Sequence, residues 1–357
     1  MSDIIEKLQE EARLRLANPT RETFLEKKQK EFVIDDNTEY PDPDYLIEIG
    51  GVPTMPKGNL VALSAKWKNG KTFLCDILGA IYLGSDRFAG CHSRQAAGKV
   101  VFFDTEQAKS DTARIRKTIK AMIPEGRHGD FEVYCLRNAG IDNEGDSNEM
   151  SRFDFISQTI AHDRPDLVII DGIADLIYNY NDVIESQEVV NKLAAIANEF
   201  DCCIVVVMHQ NKGRLDKNMK GHLGTMLYQK CSDVFNVEKH GSVFVASHAI
   251  SRHRQGGDIC FKLDAKAVPM DAVADRQLQV EMERQQSESN LREMFSPVIP
   301  SDGTPVKRSV IVDYLIENHP FKRAKAYQML NDVIKTGWLV EVDRSAIKLN
   351  TERQIDE

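Results

Sequence analysis

The stretch Ser64 to Thr72, SAKWKNGKT, contains the residue types that hold a nucleotide phosphate. Gly70 lets the backbone approach a phosphate closely, the Lys71 ammonium can reach the outer phosphates, and the Thr72 hydroxyl can bind magnesium. The usual pattern is a glycine, four residues and Gly-Lys-Thr, and here Ala65 replaces the first glycine. We predict a phosphate-binding loop formed by Ala65, Lys66, Trp67, Lys68, Asn69, Gly70, Lys71, Thr72 and Phe73.

The neighbours of this loop support the prediction. Gly-Lys-Thr alone is a weak signal, because a lysine-rich surface loop has the same composition. Here the apolar run NLVALS precedes the loop and the amphipathic run KTFLCDILGAIYL follows it. A strand, a loop and a helix in this order place the helix N-terminus at the anion.

Acidic and polar residues end three further apolar runs. DLVIIDG ends in Asp171, which we expect to hold magnesium through its water shell, although strand-terminal aspartates are often only solvated. KVVFFDTE ends in Asp104 and Glu106, and we select Glu106 as the general base. CCIVVVMHQ ends in His209 and Gln210, which either sense the terminal phosphate or serve a structural role.

The elements that must position these residues alternate along the chain. From residue 58 to residue 209, short runs rich in Val, Ile and Phe alternate with amphipathic helical stretches. Strands that are apolar throughout indicate a mainly parallel α/β sheet with helices on both faces. Turns at His240-Gly241 and Gly256-Gly257 predict antiparallel strands that extend this sheet.

Composition changes divide the chain into four parts. We expect an N-terminal helical arm and linker over 1–45, an α/β domain over 46–267, an exposed helix or linker over 268–290, and a small C-terminal domain over 291–357. The arm contains helical stretches over 4–16 and 21–32, followed by the acidic, proline-bearing DDNTEYPDPDY.

Composition also excludes some classes of protein. The chain has 357 residues and a net charge of −9, which argues against nucleic-acid binding through the whole surface but allows local basic patches. No apolar run approaches the roughly 18 residues of a membrane span, and the charged first residues predict no signal peptide. Seven scattered cysteines indicate reduced thiols, with Cys202 and Cys203 in the core. We therefore expect a cytoplasmic protein that does not contact membranes.

Together these motifs resemble the RecA-like ATPases, and among them the RepA-type plasmid helicases related to the DnaB group. The resemblance covers about 50–265 and depends on AKWKNGKT, FFDTE, LVIIDG, MHQNK and SRHRQGG. It implies a RecA-like sheet that binds ATP and Mg²⁺. It also implies that Glu106 polarises the attacking water and that the His209-Gln210 pair senses the γ-phosphate.

The resemblance further implies self-association, with a ring as the expected form. In such proteins two basic residues near the last strands reach the next subunit's site, and here they correspond to Arg252 and Arg254. An arginine supplied in trans stabilises charge on the transferring phosphoryl group. The alternative is a solvated basic strand. The N-terminal arm corresponds to a helix that packs on the adjacent subunit.

A basic loop follows the strand that ends at His209. Residues 211–225 contain Lys212, Arg214, Lys217 and Lys220, with one acid, Asp216. In RecA-like motors this loop lines the channel for single-stranded DNA, but any solvated connection has a similar composition. The segment contains no Phe, Tyr or Trp to stack on bases, so we expect contacts with phosphates alone.

The C-terminal domain resembles a winged helix, with two helix-like stretches followed by the hairpin WLVEVDRSAIKLN. Between residues 305 and 350, eight Lys or Arg face five Asp or Glu, so this region is basic within an acidic chain. The first helix must come from LREMFSPVI or be missing, and a protein-docking module is the alternative. The residues predicted to contact duplex DNA are Lys322, Arg323, Lys325, Tyr327, Gln328 and Arg344.

These expectations define the predicted function. The chain is expected to be an oligomeric, ATP-hydrolysing DNA-binding protein, a helicase or helicase-like motor in plasmid or mobile-element replication. The main alternative is a regulator that does not translocate and whose assembly on DNA is switched by ATP. A small-molecule kinase would require a lid and an acceptor pocket, and the C-terminal domain argues against it.

Overall fold

The computed structural model describes residue 13 and residues 23–95, 98–139, 150–213 and 216–351. The chain divides into two units, Met1–Asp44 and Tyr45–Glu357. In the first unit, helix α1 (Phe24–Phe32) begins after Thr23. The Thr23 hydroxyl accepts a hydrogen bond from the Glu26 amide, and the Glu26 carboxylate accepts one from the Thr23 amide. The predicted helix over 4–16 lies outside the described residues, except for residue 13.

The second unit contains the strands and helices around the predicted site. Its strands are β1 (Tyr45–Ile49), β2 (Val52–Pro56), β3 (Leu60–Ala65), β4 (Cys91–Ser93), β5 (Val100–Asp104), β6 (Phe131–Cys135), β7 (Leu167–Asp171), β8 (Cys203–His209), β9 (Asp233–His240), β10 (Val243–Ser251), β11 (Ile259–Leu263), β12 (Pro269–Asp271), β13 (Val306–Lys307), β14 (Leu339–Glu341) and β15 (Ala346–Leu349). Its helices are α2 (Lys71–Tyr82), α3 (Lys109–Met122), α4 (Arg152–Asp163), α5 (Val183–Glu199), α6 (Gly221–Lys230), α7 (Val273–Phe295), α8 (Arg308–Asn318) and α9 (Arg323–Lys335).

A nine-stranded sheet in the described residues carries the site. Its order is β12-β11-β10-β9-β3-β8-β7-β5-β6. The six strands from β9 to β6 are parallel, and β10, β11 and β12 add antiparallel pairs. The strand β8 lies between β3, which leads into the phosphate-binding loop, and β7, which ends in Asp171. The predicted fold class, a mainly parallel α/β sheet, is confirmed.

Helices cover both faces of this sheet. The buried residues of α2 and α3 join one hydrophobic cluster, and those of α4, α5 and α6 join another. Strands β3, β5 and β7 are buried along their whole length, and so are Cys202 and Cys203 at the start of β8. Parallel strands with both faces covered need apolar residues at successive positions, which explains the Val and Ile runs.

Two features differ from the sequence-based prediction. Strands β1, β2 and β4 form a small antiparallel sheet, with β1 and β2 joined at Gly50-Gly51, where both φ angles are positive. This hairpin was not predicted, because prolines interrupt its second strand. The segment 268–290, expected to be linker or exposed helix, begins with β12, which pairs with β11. Only from Val273 is it helical, and α7 continues to Phe295.

The C-terminal unit (residues 291–351) has its own hydrophobic core. The end of α7 packs with α8, α9 and the sheet β13-β15-β14. Gly337 follows α9 with φ +77°, as expected for a glycine that terminates a helix. No helix in the described part of the chain is long and apolar enough to cross a membrane.

Candidate nucleotide-binding site

The phosphate-binding loop connects β3 to α2, as predicted. Gly70 is the N-cap of α2 with φ +81°, and a Cβ atom there would lie 2.9 Å from Cδ1 of Phe244. Glycine is therefore required at this position. Ala65 is fully buried within strand β3, so replacing the first glycine of the motif places no side chain in a left-handed turn. Phe73 packs, partly buried, against the core beneath the loop.

The tip of the loop is formed by the next four residues. The Asn69 amide donates to the Lys66 carbonyl at 3.2 Å and closes a turn. The Lys66 ammonium donates to the Gly213 carbonyl at 2.9 Å. Trp67 is three-quarters exposed, and Nζ of Lys68 lies 4.5 Å from the centre of its ring. The tip therefore presents an aromatic ring and two lysines next to the residues that follow β8.

Thr72 and Asp171 form the predicted magnesium pair. The Thr72 hydroxyl donates to Oδ2 of Asp171 at 2.6 Å. Burial raises the pKa of Asp171 to about 6, and the neighbouring Glu106 carboxylate adds to this rise. Magnesium prefers oxygen ligands and usually takes one or two carboxylates, with waters and substrate phosphates completing its shell. The pair fits this preference, and no group of three or more His, Cys, Asp or Glu in the described residues is arranged to hold a metal ion.

His209 joins Lys71 to Glu106. Nζ of Lys71 lies 3.0 Å from Nδ1 of His209, and Nε2 of the same ring lies 3.6 Å from Oε1 of Glu106. Since a lysine ammonium only donates, Nδ1 accepts and the ring proton lies on Nε2, facing the carboxylate. The interaction with His209 lowers the pKa of Glu106, so this carboxylate is held in its basic form. Burial lowers the pKa of Lys71, while the Asp171 and Glu106 carboxylates oppose that effect.

Asp104 holds the turn that carries Glu106. Its carboxylate accepts hydrogen bonds from the amides of Glu106 and Gln107, at 3.1 and 2.9 Å, and from the Thr112 hydroxyl at 2.6 Å. Burial raises the pKa of Asp104 against these hydrogen bonds. Of the two acids that end this run, Asp104 is therefore buried structure and Glu106 faces the site.

Thr105 ties the ends of β5 and β7 together and was not predicted. Its hydroxyl accepts a hydrogen bond from the Gly172 amide at 2.8 Å and donates to the Asp175 carboxylate at 2.8 Å. Its amide donates to the Asp171 carbonyl at 2.8 Å. The distance between Glu106 and Asp171 thus depends on a hydroxyl that carries no sequence signal of its own.

Gln210 lies beneath the loop. It is buried, its side-chain amide donates to the Ser64 hydroxyl at 2.9 Å, and that hydroxyl donates to Oδ1 of Asn236 at 2.5 Å. The backbone amide of Gln210 donates to the Ala65 carbonyl at 3.0 Å. Of the predicted pair, His209 contacts Lys71 and Glu106, and Gln210 anchors the strand that precedes the loop.

Comparisons with known proteins agree with this site. Residues 20–214 match the model of the AAA domain family, which is more than half of the chain. The chain belongs to the AAA domain family. The matched region contains the phosphate-binding loop, Glu106, Asp171 and His209, so the protein carries a P-loop domain of the ATPase type.

Two solved structures are similar to parts of this AAA domain protein. The crystal structure of the RadB recombinase is 18% identical, with a TM-score of 0.40, and the match covers 60% of this chain and 91% of that one. An ATPase domain of a second protein is 14% identical, with a TM-score of 0.42, and the match covers 60% of this chain and 85% of that one. No curated protein matches the chain.

The two predicted trans arginines lie at the opposite edge of the sheet from the AAA phosphate-binding loop. Strand β9 runs parallel to β3, and β10 returns antiparallel to β9, so that Ser251 pairs with Asp233 at the amino ends of the parallel strands. The arginine loop (residues 252–257) follows directly. Arg252 donates to the Lys230 carbonyl at 2.7 Å, at the end of α6, and Arg254 is exposed.

The basic loop after His209 is described except for Arg214 and its neighbour, which lie outside the described residues. Lys212 is exposed next to the loop tip. Lys217 pairs with Glu238 at 2.5 Å, and Nζ of Lys220 lies 4.5 Å from the centre of the Tyr180 ring. The three described lysines that were predicted to bind DNA thus have different surroundings.

The predicted DNA-binding residues of the C-terminal unit lie on α9 and in the turn between β14 and β15. Lys322 is the N-cap of α9, and Arg323 lies 3.7 Å from Asp313. Lys325 donates to Gln328 at 3.4 Å. Tyr327 is partly buried in the core of this unit, whereas Lys322, Arg323, Lys325, Gln328 and Arg344 are exposed.

Proposed function

We propose that this protein is an oligomeric, ATP-hydrolysing DNA-binding protein that acts as a helicase or helicase-like motor in plasmid or mobile-element replication. The family match supports the ATPase part of this proposal. One observation carries the rest of the argument about turnover: a single imidazole joins Lys71, which can reach the outer phosphates, to Glu106, which can activate water.

Each residue of the site has a distinct role in this proposal. Lys71 and the amide groups at the start of α2 bind the outer phosphates, while Thr72 and Asp171 hold magnesium, which supplies charge neutralisation when bound. Glu106 accepts the proton of the attacking water. When Lys71 donates to a phosphate instead of to Nδ1, His209 loses a partner, so its position reports whether the terminal phosphate is present.

Arginines from a neighbouring subunit complete the site in this proposal. Because the arginine loop lies at the far edge of the sheet, Arg252 and Arg254 reach a nucleotide only in another copy of the chain. Mixing tests this assignment: neither Lys71→Ala nor Arg254→Ala subunits should hydrolyse ATP alone, and a mixture should recover turnover at sites that combine an intact loop with an intact arginine. No recovery on mixing, or full activity of Arg254→Ala alone, would exclude the trans arrangement.

The C-terminal unit supplies duplex contacts in this proposal. The chain order of α7, β13, α8, α9 and the hairpin β14-β15 supports a winged helix, with the end of α7 as its first helix. The exposed lysine, arginine and glutamine side chains of α9 would then face the major groove, and Arg344 would lie on the wing.

A regulator that does not translocate is the second candidate. The contact that favours it is the Arg252 guanidinium, whose Nη2 is already used within its own chain on the carbonyls of Gln229 and Lys230. In that case ATP binding would control assembly on DNA, and hydrolysis would matter less.

ATP turnover without DNA, with single-stranded DNA and with duplex separates the two candidates. A motor should be stimulated by single strands, and Lys71→Ala should abolish this activity. Turnover that no DNA changes, or that only duplex stimulates, would reject the motor and leave the regulator.

A further inference from the structure

A cavity of about 540 Å³ opens beside the phosphate-binding loop, on the side of β8. This volume lies in the range of about 300–1,000 Å³ that is typical of small-ligand sites. Its lining includes two aromatic side chains from separate elements, Trp67 of the loop and Tyr180 of the segment before α5. The basic loop itself contains no Phe, Tyr or Trp, so only the fold brings these rings next to it.

The cavity is apolar at its floor and basic at its rim. Ala174 and Met208 contribute apolar surface, whereas Lys66, Lys212 and Lys220 contribute three positive charges. No carboxylate is found among its lining residues in the described part of the chain. An apolar site with aromatic rings and cations favours a ligand that combines a flat ring with negative charge.

We propose that this cavity receives a base of single-stranded DNA, which stacks on Trp67 and Tyr180 while the adjoining phosphates lie near the three lysines. The proposal rests on the proposed DNA-binding function and names the contact through which a strand is held. A paired and stacked base cannot enter such a site, so the cavity selects single strands over duplex.

The position of the cavity argues against the adenine of ATP as its occupant. His209 lines the cavity and also contacts Lys71 and Glu106, the residues at the outer-phosphate end of the site. The adenine lies at the other end of the triphosphate. A base that contacts Trp67 instead touches the loop three residues before Gly70, so strand binding and phosphate binding share one segment.

Tryptophan fluorescence tests the proposal in the full chain. The protein has two tryptophans, and Trp338 lies partly buried in the C-terminal unit, so Trp338→Phe leaves Trp67 as the single reporter. An oligothymidylate should quench Trp67, and an abasic strand of equal length should bind more weakly without quenching. Both titrations need the same low salt, because phosphate contacts depend strongly on ionic strength.

Variants of two nearby tyrosines separate stacking from other effects. Base stacking contributes about 1–3 kcal/mol, so Tyr180→Ala should weaken binding of the oligothymidylate by about 5- to 140-fold. Tyr180→Phe keeps the ring and should bind like the parent. Tyr178 is fully exposed and absent from the cavity lining, and Tyr178→Ala is the matched control with unchanged affinity.

The outcomes separate failure of this inference from failure of the proposed function. Equal affinity for both strands, with no loss in Tyr180→Ala, would overturn the base site while strand-stimulated ATP turnover keeps the proposed function. Quenching by ATP and not by the strand would also overturn it, in favour of adenine. If no strand binds or stimulates turnover, both proposals fail.

Discussion

Asp171 is predicted to reduce the stability of the nucleotide-free fold at neutral pH. The pKa of its buried carboxyl is raised from 3.8 to about 6, and this difference corresponds to about 3 kcal/mol in favour of the protonated form. Because the pKa is higher in the folded state, the stabilisation of the neutral form is fully present below pH 3.8 and is lost as pH rises through about 6. At pH 8, folding therefore opposes the ionised carboxylate.

Asp171→Asn removes this cost while keeping an acceptor for the Thr72 hydroxyl. We expect the free energy of unfolding at about pH 8 to rise by up to about 3 kcal/mol, and the gain to shrink to about 1 kcal/mol at about pH 4.5. ATP turnover should nevertheless be lost, since an amide is a poor magnesium ligand in place of a carboxylate.

Urea unfolding at the two pH values measures the effect, in EDTA so that bound magnesium does not stabilise the ionised parent. Asp86→Asn, at an exposed aspartate, is the control and should change little at either pH. A variant that is no more stable than the parent at the higher pH, or equally stabilised at both pH values, would refute the assignment of a desolvated carboxylate.

Three further changes test the supports of the site. Thr105→Val leaves the Gly172 amide without its acceptor and should cost about 1–3 kcal/mol in urea unfolding together with lower turnover, whereas Thr105→Ser should restore both. Gly70→Ala forces a Cβ against Phe244 at a positive φ and should weaken ATP binding by about tenfold or more in equilibrium titration; unchanged affinity would contradict the required glycine. His248 is buried and its Nδ1 accepts a hydrogen bond from the first glycine of the arginine loop at 2.8 Å, so His248→Ala should lower kcat and leave KM for ATP nearly unchanged. A rise in KM alone would place the effect elsewhere.

Much of the fold was predictable because its signals are local. Short apolar runs that end in Asp, Glu or His predict buried parallel strands, and their carboxyl ends must meet at one edge. Lys71, Glu106, Asp171 and His209 were therefore expected near one another. The hairpin of β1 and β2 and the short strand β12 were missed, because their few residues alternate too briefly to be recognised.

The supporting hydroxyls could not be predicted. Ser64, Thr105 and Thr112 each contact a residue essential to the arrangement of the site, but a hydroxyl is common at strand ends and turns. Which hydroxyl is used depends on what the packed sheet places within about 3 Å, the reach of a hydrogen bond, and that is a property of pairs far apart in sequence.

The sequence by itself determined the phosphate-binding loop, the order of strands and helices and the acidic residues at the strand ends, since these depend on short motifs and on side-chain periodicity. Tertiary structure alone decided three points: that His209 joins Lys71 to Glu106, that the arginine loop lies across the sheet from its own site, and that Trp67 and Tyr180 line one cavity. The physical reason is that strand register and loop packing, which fix these distances, arise from burial of the whole sheet and not from any single segment.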